Sequence, residues 1–571
     1  MNILLVAINA KYIHSNPAVY SLKACTGMYS SHVQIAEFTI NQAPAFILQE
    51  IYQKKPDVIA FSCYIWNRIL IGQLIGDLHK ILPDTELWAG GPEVSYDPYE
   101  VKKEWGLKGV MAGAGEGSFS FLVAAYVKGT ADSLPDVLTT ANTPRLPFED
   151  IPFWYRDMEL SGNRIIYYES SRGCPFSCSY CLSSIDKQME FRPMKRVCEE
   201  LSFFLEQKVP QVKFIDRTFN CNKNHALPIL RYLLEHDNGI TNFHFEIEPC
   251  LLDEDYFSLL KQMRPGAVQL EIGIQSTNQQ TIAEIDRNMD FAKAAGAVRR
   301  ILSWNNIHVH LDLIAGLPYE DFPSFQASFN DVYALQPMQL QLGFLKVLKG
   351  SAMAARAQKY RLVSSSQPPY EVLSTQWLSY EELCRLKQAE EVFEIYYNSG
   401  QFAHTLRLLL SYFDTPYAMY DGIAAWFAKH HLFGILSSRT RKYEILLEFG
   451  ASRITSSLPA EAGASAARQL LALRETLTFD LYLREHMKNR PSFAATNGRW
   501  KQAVSEILRA EANTHALFPE YSGLSYRELT KALHVEVFET LYEKPAAVIF
   551  SYHKRDPLTN NGMAVRATLP L

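Results

Sequence analysis

No run of about eighteen apolar residues occurs in this chain, so no membrane-spanning helix is expected. The apolar start, Met1-Asn-Ile-Leu-Leu-Val-Ala7, is too short and uncharged to read as a signal peptide. Basic residues are not in excess: 56 Lys and Arg stand against 61 Asp and Glu, a formal net charge of −5. That balance argues against nucleic acid or an anionic membrane as a general partner, leaving only a local basic groove open. Nine cysteines, three on one loop and six scattered, frame no set of disulfides and point to a reducing, cytoplasmic setting. No G-x-G-x-x-G follows the first strand-like run and no Walker loop is present, which removes the two commonest nucleotide-binding signatures. Internal repeats and low-complexity tracts are missing as well.

What is present is a chain of 571 residues, too long for one core and sufficient for about three or four domains. Residues 1–130 alternate apolar strand-like runs (Ile3–Ile8, Val33–Phe38, Val58–Cys63, Glu86–Ala89, Gly109–Ala112) with helical segments such as Asn67–Leu82 and Ser118–Val127. Continuous apolar strands between helices predict an α/β doubly wound, Rossmann-like sheet buried on both faces. Such sheets bind ligands beyond the carboxyl ends of their strands, where Ser62, Gly90-Gly91-Pro92-Glu93 and Gly113-Ala-Gly115-Glu116-Gly117 fall. Residues 131–163, punctuated by Pro135, Pro144, Pro147 and Pro152, read as a linker. A second alternation over 164–365 has strands near Arg164–Ser170, Val212–Asp216, Asn242–Glu248, Ala267–Gly273, Ile307–Ile314 and Gln339–Lys346, which suggests a partial (β/α)6 barrel. From 366 to 571 helical periodicity dominates, at Tyr380–Tyr397, Thr405–Phe413, Ala466–Lys488 and Arg499–Ala510, with strand-like runs at Ala546–Tyr552 and Ala564–Thr568.

The densest signal is Ser171-Arg-Gly-Cys174-Pro-Phe-Ser-Cys178-Ser-Tyr-Cys181, directly after the first barrel strand. Three thiolates on one short loop can hold three corners of a cubane cluster, which normally takes four. The next cysteine, Cys198, lies in an amphipathic helical stretch and no histidine flanks the loop, so structural zinc, which wants four ligands, fits poorly. One iron is then left open to a small molecule.

This C-x-x-x-C-x-x-C loop resembles the signature of radical S-adenosylmethionine (SAM) enzymes, and the likeness extends over roughly Arg164 to Ser351. It implies a [4Fe–4S] cluster on Cys174, Cys178 and Cys181, with SAM on the open iron. Tyr180 matches the aromatic position near the SAM adenine. The runs Phe245-Glu246-Ile-Glu248-Pro, Glu271-Ile-Gly-Ile-Gln275-Ser and His310-Leu-Asp312-Leu-Ile-Ala-Gly316 look like those of the coproporphyrinogen-oxidase-like branch. By that match Arg287 pairs with the SAM carboxylate, and Glu246, Gln275 and Asp312 hold its amino or ribose groups. A cationic zwitterion needs such acceptors and one guanidinium. The segment Asp216-Arg217-Thr-Phe-Asn220 either lines the substrate side or caps its strand.

With a doubly wound domain in front, the whole resembles the cobalamin-binding radical SAM proteins. The matching features are Asn9–Asn16, Ser62, Gly90, Gly91, Gly115 and Glu116, where glycines let backbone approach a bulky ligand and a helix start suits a phosphate. The D-x-H-x-x-G of histidine-ligating B12 proteins is absent; Asp77-Leu-His79 is mid-helix and lacks the glycine, so cobalt is expected without a histidine below it. The resemblance implies a methyltransferase acting on an unactivated carbon, served by a reductant such as flavodoxin or ferredoxin. A B12-dependent cyclase or rearrangement enzyme, an RNA methylthiotransferase and a non-catalytic cluster or B12 sensor are the alternatives. Against the methylthiotransferase, the front region offers only Cys25 and Cys63 for a second cluster.

Overall fold

A computed structural model describes every residue except 159, 161–163, 459–462, 495–497 and 571; the end of the expected 131–163 linker therefore lies partly outside the described residues. The chain forms two compact units, one of residues 1–322 and 343–380, the other of 323–342 and 381–571.

The first unit opens with six strands: β1 (Ile3–Asn9), β2 (Val33–Thr39), β3 (Val58–Ser62), β4 (Glu86–Gly90), β5 (Gly109–Met111) and β6 (Val137–Leu138). They pair in the order β2-β1-β3-β4-β5-β6, all parallel. Successive residues of β1 and β3 drop into opposite cores: Leu4, Val6, Ile59 and Phe61 on one face, Ile3, Leu5, Val58 and Ala60 on the other. Alternation with both faces apolar gives an unbroken hydrophobic run, and each fully buried aliphatic side chain contributes about 1.5–3 kcal/mol. Because β2 and β3 flank β1, the chain reverses its winding there and a crevice opens at the carboxyl ends of β1 and β3.

The barrel sheet follows, with β7 (Ile166–Tyr168), the small antiparallel pair β8 (Ser171–Arg172) and β9 (Glu190–Phe191), then β10 (Gln211–Phe214), β11 (Asn242–Ile247), β12 (Val268–Gln275), β13 (Ile307–Ala315) and β14 (Gln339–Phe344). The order β14-β13-β12-β11-β10-β7 is that of a partial barrel. Helices return the chain between strands, and four start at side-chain caps: Asn222, Asp253, Asn278 and Asp290 each accept a backbone N–H of the first turn. The helix Phe291–Leu302 shows why it packs inward: Ala294, Ala295, Val298 and Ile301 form one buried stripe. A short pair, β15 (Val363–Ser364) and β16 (Val372–Ser374), ends the unit.

The second unit is mostly helical, including Pro416–Lys429, Arg439–Ser457 and Gly463–Arg484, and carries an antiparallel sheet of β17 (Leu533–Phe538), β18 (Ala546–Ser551) and β19 (Met563–Ala567). Phe329, in the helix Phe322–Tyr333, packs edge-on against Phe393, Tyr417 and Tyr420. Buried carboxylates replace missing backbone partners: Asp480 accepts from Thr405 N and Oγ1, and Glu511 from Leu517 N and Phe518 N.

One ion-pair group joins the front sheet to the barrel. Arg172 donates to Glu116 at 2.8 Å, at the start of the helix Gly115–Lys128, and to both oxygens of Glu169. Glu116 is held below the usual carboxylate range by that guanidinium, against the opposing pull of burial. Arg172→Ala leaves Glu116 without its partner and should cost about 2 kcal/mol. Thermal unfolding of the single variant against Arg172→Ala/Glu116→Ala checks this, the double variant recovering part of the loss.

Candidate functional site

The cysteine loop is held open by the short pair β8–β9, which brackets it on both sides. Gly173 precedes the first thiol at φ +93°, and a Cβ there would strike the Gln188 carbonyl. The loop is then pinned by Cys174 N to Asp186 O (3.1 Å), Ser179 N to Ile285 O (2.9 Å) and Cys181 N to Cys178 O (3.1 Å). Cys174 and Cys178 are buried and Cys181 is half-buried.

Arg287 reaches this loop from the segment after β12. Its guanidinium donates to Cys178 Sγ (3.7 Å), Glu248 Oε2 (2.8 Å) and Gly273 O (2.6 Å). Burial pushes the Cys178 thiol up, while the Arg287 charge pulls it back toward thiolate. Tyr180 lies beside the same pair, its phenol raised by burial. Gln275, the last residue of β12, adopts φ +71° at a shift in register between Gly273 and Gln275, which turns its amide over the strand end. Its Oε1 is buried without a partner, as are Arg287 Nε, Asp312 Oδ1 and Ser179 Oγ. Buried polar atoms are almost always satisfied; Asp312 Oδ1 has His310 Nε2 at 3.1 Å, and the other three orphans, on the cysteine loop and the stretch from Gln275 to Arg287, are what a polar ligand in that space would satisfy. The donor set therefore fits a cluster with SAM beside it.

Glu246 stands lower in the barrel, its carboxyl raised to about 7 by burial and by the Glu271 charge, against Arg217 and Lys213. Glu271 is held well below the usual range by His244 and Lys213, each 2.9 Å from its Oε2, despite burial.

Five of the residues read from the front domain, Ser62, Gly90, Gly91, Gly115 and Glu116, line one cavity of 510 Å³. Tyr167, Glu169, Arg172 and Arg217 of the barrel line it too. Gly91 sits at φ +112° with the Cys63 carbonyl where a Cβ would go, so only glycine fits that turn. None of the described lining residues is a histidine. His79 is exposed, 2.9 Å from Trp105 O. The loop Asn9–Asn16 is placed elsewhere: His14 Nδ1 meets Tyr167 Oη at 2.6 Å and Ser15 Oγ donates to Ile165 O, docking it on the first barrel strand.

Of Asp216–Asn220, Asp216 is fully buried, accepting from Ser170 N and from the Ser170 and Ser171 hydroxyls. Asn220 exchanges two hydrogen bonds with the backbone of Glu248. Both act as strand caps, and only Arg217 faces the cavity. Sequence reasoning missed Glu248, although it lies two residues from Glu246 beside a proline; nothing in the sequence pairs it with Arg287. It also missed Lys213, His244 and Glu271, whose alternation with apolar neighbours was the available signal.

Residues 3–123 match the B12 binding domain family and residues 168–332 the Radical SAM superfamily, while 358–551 match a family of proteins of unknown function, DUF4080. The cobalamin-dependent radical SAM methyltransferase TokK of Streptomyces tokunonensis is 25% identical over 330 residues, 50% of this chain and 46% of that protein. The uncharacterized methyltransferase PH0819 of Pyrococcus horikoshii is 32% identical over 263 residues, 42% of this chain and 56% of that protein. The chain thus spans about half the length of the curated relatives it matches. Among solved structures, the cobalamin-dependent S-adenosylmethionine radical enzyme OxsB, with aqua-cobalamin and S-adenosylmethionine bound, shares the fold at a TM-score of 0.55. The identity is 11%, over 84% of this chain and 83% of that one.

Arg287→Ala removes the charge that favours the Cys178 thiolate. Alkylation of Cys178 by iodoacetamide in cluster-free protein should slow several-fold near neutral pH; mass spectrometry of the labelled peptide reads it.

Proposed function

From a chain that carries a B12-binding domain at residues 3–123 and a radical SAM domain at 168–332, we propose a cobalamin-dependent radical SAM methyltransferase that acts on an unactivated carbon. The observation that carries this reading is a shared wall. The carboxyl edge of the front sheet and the first barrel strand line one cavity, and the three-cysteine loop departs from that same strand. Similarity to TokK supports methyl transfer as the reaction.

In this reading Cys174, Cys178 and Cys181 hold a [4Fe–4S] cluster with one iron open to SAM, and the front cavity holds cobalamin. When bound, the cluster supplies the electron that cleaves SAM and the corrinoid carries the methyl group. The chain's own residues do the positioning. Arg287, already neutralised by Glu248, offers its remaining N–H groups to the SAM carboxylate. Gln275 brings an orphaned acceptor and Asp312 its second carboxylate oxygen to the amino and ribose groups, Glu246 adds a carboxylate below them, and Tyr180 packs against the adenine. On the cavity side, Gly91 keeps the tight turn at the rim, and the N-terminus of Gly115–Lys128 would suit the phosphate of the nucleotide tail. Tyr64, Trp154 and Tyr155 wall the space and exclude water. The electron comes from outside, and a flavodoxin or ferredoxin is the partner this chemistry calls for.

Anaerobically reconstituted protein should convert SAM to 5′-deoxyadenosine under reduction, and Cys178→Ala should not; cluster-loaded wild type that yields none would sink the reading. With cob(II)alamin bound, the electron paramagnetic resonance spectrum should be the same for unlabelled and ¹⁵N-labelled protein, since the described cavity wall contains no histidine to give a protein nitrogen. Glu246 ionises near 7, and the carboxylate is the form that accepts from a cationic ligand, so SAM affinity should rise between about pH 6 and 8. Glu246→Gln should flatten that rise and weaken binding above neutrality roughly tenfold, about 1.4 kcal/mol, by equilibrium dialysis.

A further inference from the structure

The inward face of β11–β13 carries more charge than SAM requires. Glu246, Glu271 and His310 lie side by side in register, with Asp312 the next inward residue of β13 and His244 the preceding one of β11. One ligand atom from each of Glu271, His310 and Asp312 falls within 4.8 Å of the others. His244 and His310 are 6% and 7% exposed, and the Nε2 of each is buried without a hydrogen-bond partner. Yet His310 Nε2 is 3.1 Å from Asp312 Oδ1, and His244 Nε2 is 2.9 Å from Glu271 Oε2.

Close approach without hydrogen-bond alignment has a geometric meaning. Two ligands about 2.1 Å from one metal ion and at right angles to each other lie about 3.0 Å apart, each pointing at the ion rather than at its neighbour. The His310–Asp312 pair shows that spacing off the ring axis. Charge points the same way. Among the described residues, Lys213 is the one ammonium or guanidinium within 4.0 Å of the three carboxylates, reaching Glu271 at 2.9 Å and Glu246 at 4.0 Å. Three carboxyl groups against one ammonium leave room for a doubly charged cation in a buried layer.

We propose that Glu271, His310 and Asp312 bind a divalent first-row metal ion inside the barrel, separate from the cysteine cluster. The mixture of imidazole and carboxylate selects Mn²⁺, Fe²⁺ or Zn²⁺ over Ca²⁺ or Cu⁺. Asp312 turns Oδ1 toward His310, which leaves its second oxygen for the adenosine side. Three protein ligands leave roughly three positions of an octahedron for water or for a carboxylate, carbonyl or hydroxyl oxygen of the substrate. The proposal does not depend on cobalamin or on methyl transfer.

The test uses the full chain with its cluster oxidised, titrated with Mn²⁺, the free aquo ion being read by electron paramagnetic resonance. Wild type should take up one equivalent that Zn²⁺ displaces, and Cys178→Ala should retain that uptake. Glu271→Gln and His310→Asn should each weaken it at least tenfold, circular dichroism confirming that they fold. If either is unfolded, Asp312→Asn, nearly equal in volume to the original, takes its place. Failure of wild type to take up either ion would mean that Lys213 and a protonated His310 neutralise the layer unaided, and would overturn the proposal. Uptake unchanged in folded Glu271→Gln and His310→Asn would place the ion elsewhere and overturn it equally.

Discussion

A single guanidinium sets the terms for the barrel end of this protein. Arg287 is largely removed from water and touches a thiol, a carboxylate and a main-chain carbonyl belonging to three different segments. A buried cation is tolerated only when it is paired, so those three contacts fix where the cysteine loop, the end of β11 and the end of β12 stand relative to one another. The backbone of β12 accommodates this by its register shift at Gly273, and Gln275 takes a left-handed conformation to follow. The cysteine loop and the ends of two barrel strands are thereby coupled through one side chain.

The front half of the chain was legible because its physics is repetitive. Val58-Ile-Ala-Phe-Ser-Cys63 has to be a strand buried on both faces, and the structure begins it at Val58 and ends it one residue early, at Ser62. The cysteines were legible because three thiols at that spacing have few other uses. The interior of the barrel was harder. Val268-Gln-Leu-Glu-Ile-Gly-Ile-Gln275 alternates cleanly, but alternation says only that one face is polar, not that the polar face is turned inward. Its usual meaning is a strand with one side in water. Here Glu271 and its neighbours on β11 and β13 face one another instead, and only the closing of the sheet decides this.

Other elements stayed hidden for local reasons. Strand β17 follows the helix Tyr526–Ala532 with no glycine or proline between them, so no punctuation marked the change of period. The two-residue β6 falls in a proline-rich stretch that reads as a connection, yet it forms the edge of the front sheet. The loop after β1 has small polar residues where a ligand contact would be sought, but His14 and Ser15 spend them on the barrel's first strand. Polar residues at a strand's carboxyl end can serve a ligand or a neighbouring element, and composition does not distinguish the two.

The helix Phe322–Tyr333 lies within the stretch that matches the radical SAM superfamily, yet the aromatic rings that cover Phe329 come from residues 393, 417 and 420. A polypeptide cut after residue 380 would strip those rings away and present Phe329 and Tyr333 to solvent. Recombinant fragments designed along family borders would then be expected to clump, whereas cuts that keep 323–342 together with 381–571 respect the way the hydrophobic surface is shared out.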